Sequence, residues 1–408
     1  MIRADYRSDR FWKFLKVRFD SYSGSLLARN SVYILILSVA ALVTLGLVML
    51  FSISAYAQEA HGDIYHFVKR QAIWLAIGMT ACLGAALIDY RVWSKLCWPV
   101  FVFAVILLAL CFVPGIGMEL NGSRRWINLG VAAFQPSELG KFSAVILLAW
   151  WFSRFEYDAG KFFKGFAFPG LIVGVICLLI LWEVDLGTTA LIGGTMLAVM
   201  FVAGSNPFAL GTVVIAGAGG ILYVATQIKE RADRLMAFLD LEAHRLDAGL
   251  QQYNALIALG SGGLDGVGLG EGRQKFFYLP YAHTDFIFPM IGEELGLRMA
   301  VLVVLAYLLI FVSGILIALH ARDRFGMLLG TGVTLLIALQ AVVNIGVTIA
   351  VLPNKGMPLP FVSYGGSNLL FCLLFVGILV NIHRHGILDR RSRSEMFVSM
   401  AARVMHRI

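Results

Sequence analysis

One carboxylate stands out as a residue that could do chemistry. Asp285 lies in the segment Leu279–Phe288, at the point where a polar loop turns into an apolar helix. In this place it could cap the start of the helix, as Thr284 also could. It could equally be a carboxylate at a membrane–water boundary, held by the helix start and open to a cavity. A general base needs such a placement, so Asp285 is our candidate base.

Candidate cations lie in two other segments. Arg124 and Arg125 precede Trp126, and this sequence indicates either an interfacial anchor or a phosphate-binding site. Lys355 lies in Leu352–Gly366, whose three prolines and three glycines predict a stiff, non-helical loop. A lysine held rigidly at the depth of the lipid headgroups could bind a pyrophosphate, whereas a lysine in open solvent would fit the same pattern.

Other ionisable residues occur within apolar stretches, where each costs about 2.5–3.5 kcal/mol on insertion. Glu138 and Lys141 lie three residues apart at a helix start, so they could form a salt bridge or line a substrate cavity. Glu294 precedes Arg298 by four residues, which predicts an ion pair along one helix. Asp185 lies at a turn between two short apolar segments, where a helix cap is the simpler interpretation.

The elements that position these residues are predicted to be membrane helices. Of the 408 residues, 59% are hydrophobic and 14% are charged, whereas soluble proteins carry about 25% charged residues. Uncharged runs of about 20 residues recur along the chain, and this length spans a bilayer. We predict an all-α polytopic membrane protein with ten transmembrane helices and a long outer loop, residues 228–284, between helices seven and eight. The predicted spans are Val32–Ser54, Gln71–Ile88, Leu96–Val113, Ser137–Phe152, Phe166–Trp182, Leu186–Gly204, Pro207–Gln227, Phe286–Leu319, Gly326–Leu352 and Ser367–Ile382.

The distribution of Lys and Arg predicts the orientation of this membrane domain, residues 32–382. Twenty of these cations lie in the two tails (1–31 and 383–408) and the short loops on the same side, against 11 on the other side. By the positive-inside rule both tails are cytoplasmic. The net charge of +8 then belongs to a membrane surface, because no basic face accompanies a soluble domain that could bind nucleic acid.

Two further patterns bear on the type of site. Residues 260–272, the glycine-rich loop, contain seven glycines but lack the G-x-G-x-x-G spacing and the preceding strand of a nucleotide-binding loop. We expect a mobile or a tightly folded loop beside a substrate channel. Residues 229–250 before it indicate an amphipathic helix, either on the membrane surface or packed on the bundle. The five cysteines lie within or at the ends of predicted spans and none in an outer loop, which argues against a disulfide framework, and their spacing matches no zinc site.

Seven ordered motifs between Asn121 and Gly366 resemble the SEDS family (shape, elongation, division and sporulation). Two segments are closer to the division branch of this family than to its elongation branch. They are LPYAHTDFIF and the last loop, Leu352–Gly366, with its lysine Lys355. Departures from the family pattern, such as Tyr281, Thr348 and Asn368, affect no residue that we assign to chemistry. The motifs are NGSRRWI, QPSELGK, DLGT, IALGSGG, HTDFIF with IGEELG, QAVVNIG and LPFVSYGG.

The resemblance implies a peptidoglycan glycosyltransferase in the bacterial inner membrane. Its substrate would be lipid II, a disaccharide-peptide on undecaprenyl pyrophosphate, and its partner a class B penicillin-binding protein that crosslinks the strands. A divalent cation, Mg²⁺ or Mn²⁺, could assist, although the spacing identifies no metal site. Carried over residue by residue, the essential acid of the family falls on Asp285, its arginine before Trp-Ile on Arg125, its last-loop lysine on Lys355, and the Glu and Lys of QPSELGK on Glu138 and Lys141. The four residues other than Asp285, together with Arg124 and His283, are the candidate substrate-binding residues.

Two other classes of function are compatible with the same composition. Buried charges and broken helices would also suit a transporter that flips the same lipid, although the sequence contains no inverted repeat. A structural scaffold of the division machinery would be a third possibility. It gives no reason for a carboxylate, an arginine and a lysine to converge on the outer face, so the polymerase is the preferred hypothesis.

Overall fold

A computed structural model of the chain describes residues 26–54, 65–120, 123–128, 133–227, 229–276 and 279–405. Most of the predicted N-terminal tail and the first two residues of the NGSRRWI motif lie outside these ranges. The described residues form mainly helices. They are α1 (Leu26–Ser54), α2 (His66–Leu87), α3 (Val92–Leu110), α4 (Pro136–Arg154), α5 (Phe168–Trp182), α6 (Leu186–Val202), α7 (Pro207–Gln227), α8 (Lys229–Leu239), α9 (Leu250–Gly262), α10 (Ile287–Leu319), α11 (Arg324–Thr348) and α12 (Gly366–Met405).

Eight helices of the described residues are long and apolar enough to cross a membrane, namely α1, α2, α3, α5, α7, α10, α11 and α12. They coincide with eight of the predicted spans, so the protein is an all-α, multi-pass membrane protein as predicted. The other two predicted spans coincide with α4, which carries three charged residues, and with α6, which has only 17 residues. The count of ten transmembrane helices therefore stays a prediction.

A small antiparallel sheet follows α3. Its strands β1 (Gly117–Leu120), β2 (Ser123–Asn128) and β3 (Ala133–Phe134) lie in the order β1-β2-β3. The hydropathy pattern did not indicate strands here, because each strand is too short to show a clear alternation. Successive side chains of a strand point to opposite faces. Arg124 on β2 is accordingly exposed, whereas Arg125 is partly buried, so only one of the two arginines turns toward the bundle.

Helix α10 is interrupted at Gly296, which has φ 77° and ψ 177°. The glycine-rich loop lies against this interruption. The Val267 N–H donates to the Glu293 carbonyl at 2.9 Å, and the Leu297 N–H donates to the Gly263 carbonyl at 2.9 Å. The loop is therefore tightly folded, which is the second of the two predicted alternatives. Its backbone groups form the hydrogen bonds that α10 cannot form within itself where the helix is interrupted.

The amphipathic segment that precedes this loop is shorter than predicted. Helix α8 ends at Leu239 rather than near residue 250, and turns follow as far as α9. Ala237 is buried, whereas Met236 and Leu239 are exposed. Helix α8 thus has one narrow packed face, and it lies next to α7 in the fold.

Candidate functional site

Asp185 joins two cations that lie far apart in the sequence. The Nη1 atom of Arg125, on β2, lies 3.2 Å from Oδ2 of Asp185. The Nζ atom of Lys355, in the loop between α11 and α12, lies 2.9 Å from Oδ1 of the same carboxylate. Asp185 is only 2% exposed. A buried carboxylate therefore holds an arginine and a lysine in one cluster.

The same carboxylate begins helix α6. The Thr188 N–H donates to Oδ1 of Asp185 at 3.1 Å, which is a side-chain cap of the helix. The predicted cap is thus present, and the ion pairs with Arg125 and Lys355 are additional to it. Burial alone would raise the pKa of Asp185, but the charges of Lys355 and Arg125 outweigh it and hold this pKa well below its usual range.

Lys355 crosses over the first turn of α6 to reach Asp185. A β-carbon at Gly187 would lie 2.4 Å from Cε of Lys355, so the lysine can follow this path only because residue 187 has no side chain. Burial lowers the pKa of Lys355, while the charge of Asp185 raises it. The net shift is downward, which means that the ammonium group is held in a site that favours its charge less than water does.

Asp285 lies against the last loop, at the residue that follows Lys355. Its Oδ2 atom touches Gly356, since a β-carbon at Gly356 would be 2.4 Å away. Asp285 does not cap α10, because the N-cap position is Phe286 and no side chain there makes a cap hydrogen bond. The cap interpretation of Asp285 is therefore wrong, and its carboxylate is available for another role beside Lys355.

The environment of Asp285 tunes its basicity. Burial raises the pKa of Asp285 to about 6, against the lowering effect of the nearby Arg125 and Lys355 charges. Asp185, a like charge, contributes a smaller upward shift. At pH 7 this carboxylate is largely ionised, and it is a stronger base than an ordinary aspartate.

Two amides on α11 fix the last loop and the backbone of Asp285. The Asn344 side-chain amide donates to the Asp285 carbonyl at 2.7 Å and to the Met357 carbonyl at 2.6 Å. One turn earlier, the Gln340 amide donates to the Pro358 carbonyl at 2.9 Å. Residues four apart on a helix lie on one face, so Gln340 and Asn344 act together.

Glu138 and Lys141 form a salt bridge of 2.8 Å inside the bundle. Lys141 also donates to Oε1 of Gln340 at 2.9 Å, so the pair reaches the last loop through α11. Both side chains are buried. These contacts give the pair a structural link to the loop that carries Lys355, and its predicted contact with substrate stays a prediction.

The other predicted substrate-binding residues lie at the edge of this cluster. His283 is buried, and its ring stacks on Phe67 with the centroids 4.3 Å apart. Its carbonyl accepts a hydrogen bond from the Tyr364 N–H at 2.9 Å, which ties the segment before Asp285 to the last loop. Arg124 is exposed on β2. Their roles in substrate binding stay predictions.

The predicted pair between Glu294 and Arg298 is wrong. Glu294 instead pairs with Lys275 at 2.7 Å, and both side chains are fully buried. Arg298 pairs with Asp265 on the surface. The reason is the fold of the glycine-rich loop, which brings Lys275 into the bundle, where a buried carboxylate requires a close counter-charge.

The carboxylates of the cluster bear on the predicted divalent cation. Within the described ranges, no three His, Cys, Asp or Glu side chains lie close enough together to hold a metal ion. Asp185 already accepts from Arg125, Lys355 and Thr188. This donor set does not fit a metal centre built from protein ligands alone. A divalent cation stays a prediction.

Four residues of the site were not predicted from the sequence. Gln340 and Asn344 lie in the QAVVNIG motif, whose polar spacing of four on an apolar helix was the available signal. Gly187 lies in the DLGT motif and Gly356 follows Lys355, and no local pattern shows what a glycine must accommodate.

These helices and this cluster define a multi-pass membrane protein with a carboxylate–cation site at one end of its bundle. The sequence model of one protein family, described as cell cycle proteins of the FtsW, RodA and SpoVE type, matches residues 32–387. The chain belongs to this family. The match includes the residues of the cluster around Asp185.

Curated relatives agree with this assignment. The probable peptidoglycan glycosyltransferase FtsW of Geobacter metallireducens is 37% identical over 351 residues, which cover 86% of this chain and 93% of the relative. The protein of the same name from Coxiella burnetii is 39% identical, over 84% of this chain and 93% of its own. The stage V sporulation protein E of Bacillus subtilis is 39% identical, over 84% of this chain and 94% of its own.

Solved structures share the fold. A chain from a structure titled "Structural coordination of polymerization and crosslinking by a peptidoglycan synthase complex" has a TM-score of 0.70 and 27% identity, over 86% of this chain and 97% of that chain. The rod shape determining protein RodA of Thermus thermophilus has a TM-score of 0.63 and 28% identity, over 86% of this chain and 95% of its own.

Proposed function

We propose that this chain is a peptidoglycan glycosyltransferase that polymerises lipid II at the outer face of the bacterial cytoplasmic membrane during cell division. The observation that carries the proposal is the convergence of four segments on one cluster, in which Asp185 pairs with Arg125 and Lys355 while Asp285 lies beside the loop that carries Lys355. The name of the FtsW relatives, peptidoglycan glycosyltransferase, supports the type of reaction.

Asp285 is the proposed general base. The donor sugar is α-linked to a pyrophosphate and becomes β-linked in the polymer, so a single displacement is sufficient and no covalent enzyme intermediate is required. As in inverting glycosidases, a carboxylate activates the attacking hydroxyl group. Asp285 takes the proton of the acceptor 4-hydroxyl, the oxygen attacks the anomeric carbon, and the bond from that carbon to the pyrophosphate oxygen breaks.

Arg125 and Lys355 are the proposed ligands of the leaving group. A pyrophosphate is a weak base, so it needs charge stabilisation more than a proton donor. A guanidinium offers five N–H donors and an ammonium offers three, so a pair with Asp185 exhausts neither cation. Asp185 would orient both cations before the substrate arrives, which lowers the cost of organising them in the transition state.

The proposed setting is the inner membrane, with both tails in the cytoplasm and the cluster on the outer side. The excess of Lys and Arg in the tails and their adjoining loops supports this orientation. A class B penicillin-binding protein is the proposed partner, and the similarity to a chain of a peptidoglycan synthase complex supports a partner of this kind. The sequence around Asp285 and Lys355 is closer to the division branch of the family, which supports a role in division.

The test is polymerisation of purified lipid II by the full chain in liposomes, with and without a class B partner. Asp285→Asn should lower the rate by about 10²–10⁴, the usual contribution of a general base, without loss of folding. Asp265→Asn, an exposed carboxylate in the preceding loop, is the matched control and should polymerise normally. A near-normal rate for Asp285→Asn would refute the base. Absence of glycan strands under every condition, with lipid translocation intact, would favour the transporter.

A further inference from the structure

Arg231 lies at the turn that carries Asp185. It belongs to the first turn of α8, and its Nη2 atom donates to the Val184 carbonyl, one residue before Asp185. Helix α8 is part of the long loop between α7 and α10. The turn at Val184 and Asp185 is therefore contacted by three segments, namely β2, the last loop and α8. No motif in the sequence drew attention to Arg231.

The backbone at this contact is unusual. Val184 has φ 67°, in the left-handed region that β-branched residues rarely adopt. Such a conformation is strained and persists where the surroundings fix it. The hydrogen bond from Arg231 fixes the carbonyl of this residue. The guanidinium therefore has a defined place beside the carboxylate that holds Arg125 and Lys355.

Arg231 is also close enough to Lys355 to influence its charge. After burial, which is the largest cause, the positive charges of Arg125 and Arg231 lower the pKa of Lys355. Three cations from three segments therefore repel one another around one turn. Such an arrangement is costly without an anion, and it suggests a ligand with more negative charge than Asp185 alone supplies.

The described residues of this cluster include more cations than ionised carboxylates. Arg125, Arg231 and Lys355 face the carboxylates of Asp185 and Asp285. Glu183, on the other side of Val184, does not add a third anion at neutral pH, because burial raises its pKa to about 8. The site is therefore set to attract an anion.

We propose that Arg231 is a third cation of the pyrophosphate-binding site, brought there by α8 and oriented by the Val184 carbonyl. This inference rests on the proposed function. Breaking the glycosidic bond turns a bridging pyrophosphate into a terminal one, so the leaving group gains negative charge during the reaction. Arg125 and Lys355 form ion pairs with Asp185. Arg231 adds a third positive charge where the negative charge of the leaving group develops.

Three variants separate charge from a structural role. Arg231→Gln keeps an N–H donor for the Val184 carbonyl but removes the charge. Arg231→Lys keeps the charge. Arg234→Ala removes a neighbouring exposed arginine of the same helix and is the matched control. Two quantities are measured on the full chain in detergent, namely binding of farnesyl pyrophosphate and kcat/KM for lipid II polymerisation.

We expect Arg231→Gln to weaken farnesyl pyrophosphate binding and to lower kcat/KM, each by about 10- to 100-fold, the effect of a lost charge-assisted hydrogen bond. Arg231→Lys should lie between Arg231→Gln and the wild type, and Arg234→Ala should match the wild type. Unchanged binding and kcat/KM in Arg231→Gln would overturn the inference, as would a wild type that does not bind the probe.

The Asp285→Asn variant separates this inference from the proposed reaction. It should bind farnesyl pyrophosphate as the wild type does while failing to polymerise. If wild type and Asp285→Asn bind the probe but neither polymerises lipid II, the reaction is refuted, and weakened binding in Arg231→Gln still establishes the third cation. If the wild type polymerises and Arg231→Gln binds and reacts normally, the reaction stands and the third cation is refuted.

Discussion

The carboxylate of Asp285 lies directly on the backbone of Gly356. A β-carbon at residue 356 would be 2.4 Å from Oδ2, whereas real β-carbons essentially never approach a heavy atom within 3.0 Å. Gly356 follows Lys355, so one short stretch of the last loop accommodates the proposed base and positions a proposed ligand of the leaving group. The positions of the Asp285 carboxylate and the Lys355 ammonium group therefore depend on each other.

Gly356→Ala should displace the Asp285 carboxylate and leave the fold intact, because the colliding atom is the end of a side chain that can rotate. A displacement of about 1 Å at the reacting centre can cost about 10² in rate. We expect the polymerisation rate to fall by at least this factor, with little change in the melting temperature. Gly365→Ala is the control in the same loop, since its β-carbon would meet atoms at 3.8 Å. Equal rates for the two variants would contradict this account.

Gly187→Ala should disturb Lys355 in the same way. The new methyl group would collide with Cε of the lysine and push the ammonium group away from Asp185. We expect kcat/KM to fall about tenfold or more, while helix α6 keeps or gains stability from the alanine. Gly193→Ala, in the same helix but with open space at its β-carbon, should leave kcat/KM unchanged. The idea fails if both variants behave alike.

The pH dependence should report the ionisation of Asp285. Because burial raises its pKa to about 6, kcat/KM should fall on the acid side with a midpoint near pH 6. The charge of Arg125 lowers this pKa, so its removal in Arg125→Gln should move the midpoint to higher pH. The measurement is a pH profile of kcat/KM for both proteins. A midpoint that moves to lower pH, or does not move, would contradict the assignment.

The pair of Glu138 and Lys141 should matter chiefly for stability. Lys141→Met leaves a buried carboxylate without its counter-charge, which costs about 3–5 kcal/mol. We expect a clear fall in the melting temperature in detergent. Adding Glu138→Gln to this variant should recover much of the loss, because the unpaired charge is then gone. A single variant as stable as the wild type would show that the pair is not needed for folding.

Two ion pairs on α10 should differ strongly in their effect. Lys275→Met should destabilise the protein by about 3–5 kcal/mol, because it leaves the buried Glu294 without its counter-charge. Arg298→Ala should cost less than about 1 kcal/mol, since Arg298 and Asp265 are 70% and 71% exposed. Thermal unfolding and proteolysis of the glycine-rich loop measure both effects. Similar losses in the two variants would contradict the structural assignment.

Hydropathy predicted the positions of the helices well, whereas local spacing did not predict which charged side chains pair. The start of α10, predicted at Phe286 and observed at Ile287, follows from the run of apolar residues. The local spacing rule favoured Arg298 as the partner of Glu294, but burial selects Lys275, whose approach depends on the folded loop. The contact of Lys355 with Asp185 is likewise a property of the tertiary fold, so sequence spacing could identify the two residues but not their pairing.

The interruption of α10 at Gly296 has a consequence for how the chain is made. A hydrocarbon environment offers no partners for backbone groups, and here the glycine-rich loop supplies them. The first part of α10 is therefore not a segment that a translocon can release into lipid as an ordinary finished helix. We expect residues 260–296 to leave the insertion machinery as one unit, with the glycine-rich loop already folded back on the helix, so that this end of the bundle forms in a single late step.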